Sequence, residues 1–175
     1  MSKFNPNRGL IEYKENQVNT DLTFLTEQGK VFIASQRWEM PGNSTEYVEI
    51  RVPSEINMRI YSEFFSVSGG LFFIDLLRAP DFTPGTEEFN HSCLNCVLGI
   101  QPSVRLFRGA ESIDNEVVIE FNQAGGGGRQ ASGTSETFGT YRITNGVTVP
   151  LFIRVENRGN QDHFVSLGLI WSETQ

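Results

Sequence analysis

The chain has 175 residues, a net charge of −7, and 38% hydrophobic and 20% charged residues. A chain of this length buries about 70% of its extended-chain surface on folding, so one domain needs no metal or disulfide to hold a core. The composition excludes a disordered polymer and an integral membrane protein. The longest apolar run, Leu71–Leu77, is interrupted by Asp75 and falls short of the roughly 18–20 residues that a bilayer span needs.

The acidic balance also bears on the partners. No block of consecutive Lys and Arg residues offers the concentrated positive charge that phosphate backbones require, which argues against a nucleic-acid partner. The first residues, Met1–Pro6, lack the apolar core of a signal peptide, so the chain is expected to be made and folded in a cytoplasm.

Residues 1–28 are predicted to form an extended N-terminal arm, with room for one short edge strand. The segment is polar, and its apolar residues follow no regular spacing. Four of them are the candidate partner-binding residues, because buried aromatic and aliphatic side chains contribute most of the energy of an interface: Phe4, Leu10, Ile11 and Tyr13. The alternative is that these side chains cover the arm's own subunit.

Residues 29–175 are predicted to form one antiparallel β-sandwich domain, jelly-roll-like, with about eight or nine strands. Short segments rich in β-branched and aromatic residues alternate with turn residues, and no segment sustains a helical period. The predicted strands are 30–34, 45–52, 58–67, 71–77, 104–108, 117–121, 137–143, 151–155 and 164–171.

The connections are predicted from turn chemistry. Residues 41–43 and 68–70 are turns, and residues 79–84 form a loop. The run Gly125–Gly128 opens a flexible loop that continues to about Gly133, since glycine resists ordering in a strand. Residues 157–160 are a hairpin turn between two apolar strands.

The pair Cys93 and Cys96, with His91 two residues upstream, supplies half of a zinc site. His163 is the only other histidine and lies in a distant segment, so ordinary thiols are favoured over a metal centre, and no cofactor is expected. Gly125–Gly128 lacks the Gly-Lys-Ser/Thr and the helix start of a phosphate-binding loop. With no nucleophile elbow and only two histidines to act as a base, the chain is not expected to be an enzyme.

The C-terminal residues resemble a group of small tailed-phage virion proteins. The similarity is carried by residues 151–159, LFIRVENRG, and 165–173, VSLGLIWSE, and it extends in weaker form to residues 85–92. It covers about residues 56–173, with Ser172 standing where the group usually has Tyr. Members of this group look like capsid decoration, cement or head-fibre components.

The resemblance implies a virion structural protein on the capsid surface. Its expected function is to decorate and stabilise the capsid exterior, with the major capsid protein as partner. The expected assembly is a homo-oligomer, with a trimer favoured, because a capsid offers many equivalent sites around symmetry axes. The alternative function is a tail or fibre receptor-binding module, possibly one that binds carbohydrate. Neither nucleic acid nor a membrane is an expected partner.

Overall fold

Two antiparallel sheets face each other in the computed structural model, which describes residues 22–126, 131–132, 141–143 and 149–175. Within these ranges there are nine strands of at least four residues and four of two or three residues. A short helix, α1, spans residues 22–27. The strands are β1 (Val31–Met40), β2 (Ser44–Arg51), β3 (Asn57–Val67), β4 (Gly70–Arg78), β5 (Asp81–Thr83), β6 (Glu87–Glu88), β7 (Asn90–Cys93), β8 (Arg105–Asp114), β9 (Val117–Gly126), β10 (Ala131–Ser132), β11 (Tyr141–Ile143), β12 (Leu151–Asn157) and β13 (His163–Thr174), with a 3₁₀ turn at Cys96–Leu98 between β7 and β8.

The strand order is that of a jelly roll. The first sheet runs β10–β3–β13–β1–β7, with β11 also paired to β3, and the second runs β5–β8–β2–β12–β4–β9, with β6 paired to β8. Several connections cross from one sheet to the other, among them β1 to β2, β2 to β3, β3 to β4, β7 to β8 and β12 to β13, so the chain winds around both sheets. The all-β, jelly-roll-like sandwich predicted from the sequence is confirmed.

The main core lies between the two sheets and follows from period-two alternation along each strand. On β13, the inward residues Val165, Leu167, Leu169 and Trp171 are buried. Trp171 packs against Phe32 of β1, with ring centroids 6.0 Å apart. Burial of these side chains fixes the register of β13 between β1 and β3, because a slip of one residue would expose the whole row.

A second, smaller core covers the outer face of the second sheet. Leu77, Ala79, Ala110 and Phe152 form this cluster, and Phe82 of β5 places its ring 5.0 Å from that of Phe152. The predicted loop at residues 79–84 is therefore wrong in part. Residues Asp81–Thr83 pair with the far end of β8, because Phe82 gains an apolar partner only in that position.

Two further turn predictions are corrected. Residues 157–160 do not close a hairpin, since β12 and β13 lie in different sheets. The Asn157 amide instead donates to the carbonyl oxygens of Pro41 and Gln161, at 3.0 Å and 2.9 Å, and so joins this corner to the one at residues 41–43. Gly125 and Gly126 belong to β9 and pair with Leu71 and Gly70, because an ordered β4 backbone satisfies their peptide groups. Gly127 and Gly128 lie outside the described residues.

The predicted N-terminal arm is described only at its end. Residues 22–27 are helical rather than extended, which corrects the prediction for this part of residues 1–28. The Thr26 hydroxyl donates to the Leu22 carbonyl at 2.7 Å, and Leu22 and Leu25 lie on one side of α1 and are partly buried. Residues 1–21 lie outside the described residues, so the division of the chain at residue 28 stays a prediction.

Candidate interaction surface

His91 and Cys93, two of the three residues that form half of a zinc pattern in the sequence, are built into the sandwich. His91 accepts a hydrogen bond at Nε2 from the backbone N–H of Leu106, at 3.0 Å, and its ring stands edge-on to Trp171. Cys93 is buried and its thiol donates to the Gly29 carbonyl at 3.7 Å. In the part of the chain that the structure describes, no three His, Cys, Asp or Glu residues group as metal ligands would. His91 and Cys93 are therefore used in packing, and absence of metal stays a prediction.

The burial of His91 gives the fold a pH dependence. Burial and the nearby Arg105 lower the pKa of His91, while Glu88 acts in the opposite direction. The unfolded chain therefore binds a proton at this residue more readily than the folded chain, and stability falls as the pH drops below about 6.5, the ordinary histidine pKa.

We expect the free energy of unfolding to decline between pH 6.5 and 5 less steeply in His91→Gln than in the unchanged protein, because glutamine keeps an acceptor for the Leu106 N–H and does not ionise. Denaturant titrations at several pH values measure this. Equal slopes for the two proteins would show that His91 is not buried as a neutral ring.

Four large apolar side chains stand exposed on the connection between β7 and β8. Leu94, Val97, Leu98 and Ile100 expose between 39% and 93% of their surface, with Val97 the most exposed. We call these four residues the 94–100 surface. Exposed apolar residues that cluster on one short segment mark interaction sites more often than isolated ones do.

Hydrogen bonds near both ends of this connection fix its backbone, so its exposed side chains lie on an ordered segment. The Leu94 N–H donates to the Val31 carbonyl at 2.9 Å, and the Asn95 amide donates to the Glu27 carbonyl of α1 at 3.3 Å. Downstream, the Glu173 carboxylate accepts the N–H groups of Ser103 and Val104, each at 2.9 Å. The connection is thereby attached to β1, α1 and the end of β13.

Gly29, between α1 and β1, lies in contact with this surface. Its backbone adopts a φ of +68°, and a side chain there would lie 2.6 Å from Leu98 and 2.7 Å from Ile100. The left-handed conformation favours glycine, and any side chain here would displace the ends of the Leu98 and Ile100 side chains. Residues 28–30, which link α1 to β1, therefore lie beside the 94–100 surface. Phe24 of α1 is exposed as well.

A second exposed apolar stretch lies on β9, where Val117, Val118 and Ile119 are all exposed. Among the described residues this part of β9 pairs only with β4, so it is an edge. Glu116 and Glu120 flank it in sequence. In an antiparallel pairing of two copies centred on Val118 these acidic residues would oppose each other, and like charges at that position disfavour edge-to-edge association.

The sequence-predicted partner-binding residues Phe4, Leu10, Ile11 and Tyr13 lie outside the described residues. The 94–100 surface was missed from the sequence because residues 94–100, LNCVLGI, do not alternate and are typical of a loop beside the cysteine pair. One signal could have indicated an exposed apolar surface here. Apolar residues are dense in this stretch although Gly99 and Pro102 indicate a loop, and loops of a soluble domain are ordinarily polar.

Comparisons with known proteins add no identification: no family model, no curated protein and no solved structure matches the chain. In the described residues there is also no helix long and apolar enough to cross a membrane.

Proposed function

We propose that the protein is a phage virion structural protein that decorates the exterior of a capsid and stabilises it. The observation that favours this most is the 94–100 surface, an ordered and exposed apolar segment beside the point where the N-terminal segment joins the sandwich. An all-β sandwich that presents such a segment suits attachment to another protein. The resemblance of residues 151–173 to tailed-phage virion proteins suggests which kind of partner.

The proposal does not call for an active site. The two histidines of the chain have packing roles: His91 accepts from a backbone N–H, and the His163 ring lies 6.1 Å from that of Phe72. The carboxylates on the outer face of the second sheet are held by arginines, as in the pairs Glu49–Arg51 and Asp75–Arg154. In this proposal the protein binds major capsid protein and acts by making the assembled shell harder to open, through mass action on the assembled state.

The rival function, a receptor-binding module of the tail, gains less support. Carbohydrate binding of that kind would favour exposed aromatic side chains grouped on neighbouring loops. Among the described residues, Phe24 and Phe164 are the large aromatic side chains that are strongly exposed, and they lie on different elements, α1 and β13.

Adding the purified protein back to virions assembled without it tests the proposal. We expect it to sediment with these particles and to raise the temperature at which they release DNA, because each bound copy links shell subunits. A tail module would leave that temperature unchanged and would alter adsorption to host cells instead. Failure to bind the particles contradicts both readings.

A further inference from the structure

We infer that the 94–100 surface is a docking site for the N-terminal segment of a neighbouring copy of this chain, with Leu10, Ile11 and Tyr13 as the side chains that dock. This inference rests on the proposed function, since copies arranged side by side on a shell bring such segments and surfaces together. The proposed function does not say what binds to the 94–100 surface, and this inference names that partner.

The first argument is the place where the described chain begins. α1 is attached to the connection between β7 and β8 through Asn95, whose amide donates to the Glu27 carbonyl. Twenty-one residues precede Leu22, the first residue of α1. The segment therefore continues from an element that is attached to this connection, and in a closed ring of copies whose contacts lie at this end of the molecule it can reach the surface of the next copy.

The second argument is the spacing along the segment. Eight residues, 14–21, separate Tyr13 from Leu22, and seven of the eight are polar. Nine residue steps span at most about 30 Å when extended, which is enough to reach a neighbouring copy. A polar spacer of this length suits that reach, since it carries almost no apolar side chain that would need burial along the way.

The third argument is the shape of the site. A recess of about 510 Å³ adjoins the surface, shares Ile100 with it and is also lined by Gly29. Phe32 and Ile56 contribute apolar atoms to its lining, and Gln101 contributes polar ones. Such a recess accepts a tyrosine, whose ring is apolar and whose hydroxyl needs a hydrogen-bond partner. Val97 and Leu98 would then receive Leu10 and Ile11.

A mixing experiment between two variants tests the inference. One variant lacks residues 2–13 and so has the surface without the docking side chains. The other is Leu94→Asp with Val97→Asp, which keeps the segment and places charge on the surface. Both substituted side chains are exposed, so the sandwich should stay folded. Light scattering after size-exclusion chromatography gives the masses.

We expect the unchanged chain to be an oligomer, each variant alone to be a monomer, and a 1:1 mixture to form a species of twice the monomer mass. Val117→Asp, an exposed valine on β9, is the matched control and should keep the oligomer. An unchanged chain that is monomeric, or a mixture that stays monomeric, overturns the inference. A lower melting temperature of the truncated variant with no change of mass would assign the segment to its own copy. No particle enters this test, so its failure is separate from failure of the proposed function.

Discussion

Replacing Trp171 with alanine is expected to lower the free energy of unfolding by about 3–5 kcal/mol. The side chain is 0% exposed and lies between Phe32 and His91. Its indole N–H donates to Glu173 at 3.0 Å, and that carboxylate also binds the backbone at residues 103–104. Removing the indole leaves a cavity in the core and loosens the connection to β8.

Denaturant titration of Trp171→Ala measures this loss, and Ile170→Ala is the matched control. Ile170 is the neighbour on the same strand, points to the outer face and is partly exposed, so its truncation should cost less than half as much. Equal effects of the two substitutions would mean that β13 does not bury the face described above.

The second large effect is expected from Arg154→Met, again about 3–5 kcal/mol. Asp75 lies on the outer face of the second sheet, yet it is 1% exposed, and Arg154 is its ion-pair partner, with Nε 2.7 Å from Oδ2. Its other oxygen, Oδ1, has no hydrogen-bond partner among the described residues. Removing the arginine would leave a buried carboxylate without a compensating charge.

Two further variants separate this cost from the general effect of losing an arginine. Arg158 is half exposed in its ion pair with Glu156, so Arg158→Met should change stability far less than Arg154→Met does. Combining Asp75→Leu with Arg154→Met should restore much of the loss, because an apolar pair can replace a buried ion pair. A double variant as unstable as Arg154→Met would contradict this account.

The fold could be predicted where each strand carries its own alternation. β3, β4, β12 and β13 appear in the sequence within one to three residues of their bounds, since one face of each is apolar. β5 and β6 could not be predicted, because strands of two or three residues contain too little pattern and form only through contacts such as that between Phe82 and Phe152. Their partners are distant in sequence.

The crossings between sheets could not be predicted either. The turn residues at 157–160 indicate a reversal of the chain, but a hairpin and a corner between two sheets use the same residues. What distinguishes them is the Asn157 amide, which bonds to the corner at residues 41–43, more than a hundred residues away. The 94–100 surface was missed for a related reason, because exposure depends on which side of the sandwich a loop faces.

The location and number of copies of this chain in purified virions test its proposed role most directly. Quantitative mass spectrometry gives the copy number relative to major capsid protein, and gold-labelled antibody gives the position. Decoration predicts copies in the hundreds, spread over the shell in a fixed ratio to the capsid protein, on the order expected when every symmetry-equivalent site is filled. A handful of copies confined to one vertex or to the tail, or absence of the chain from virions, would contradict it.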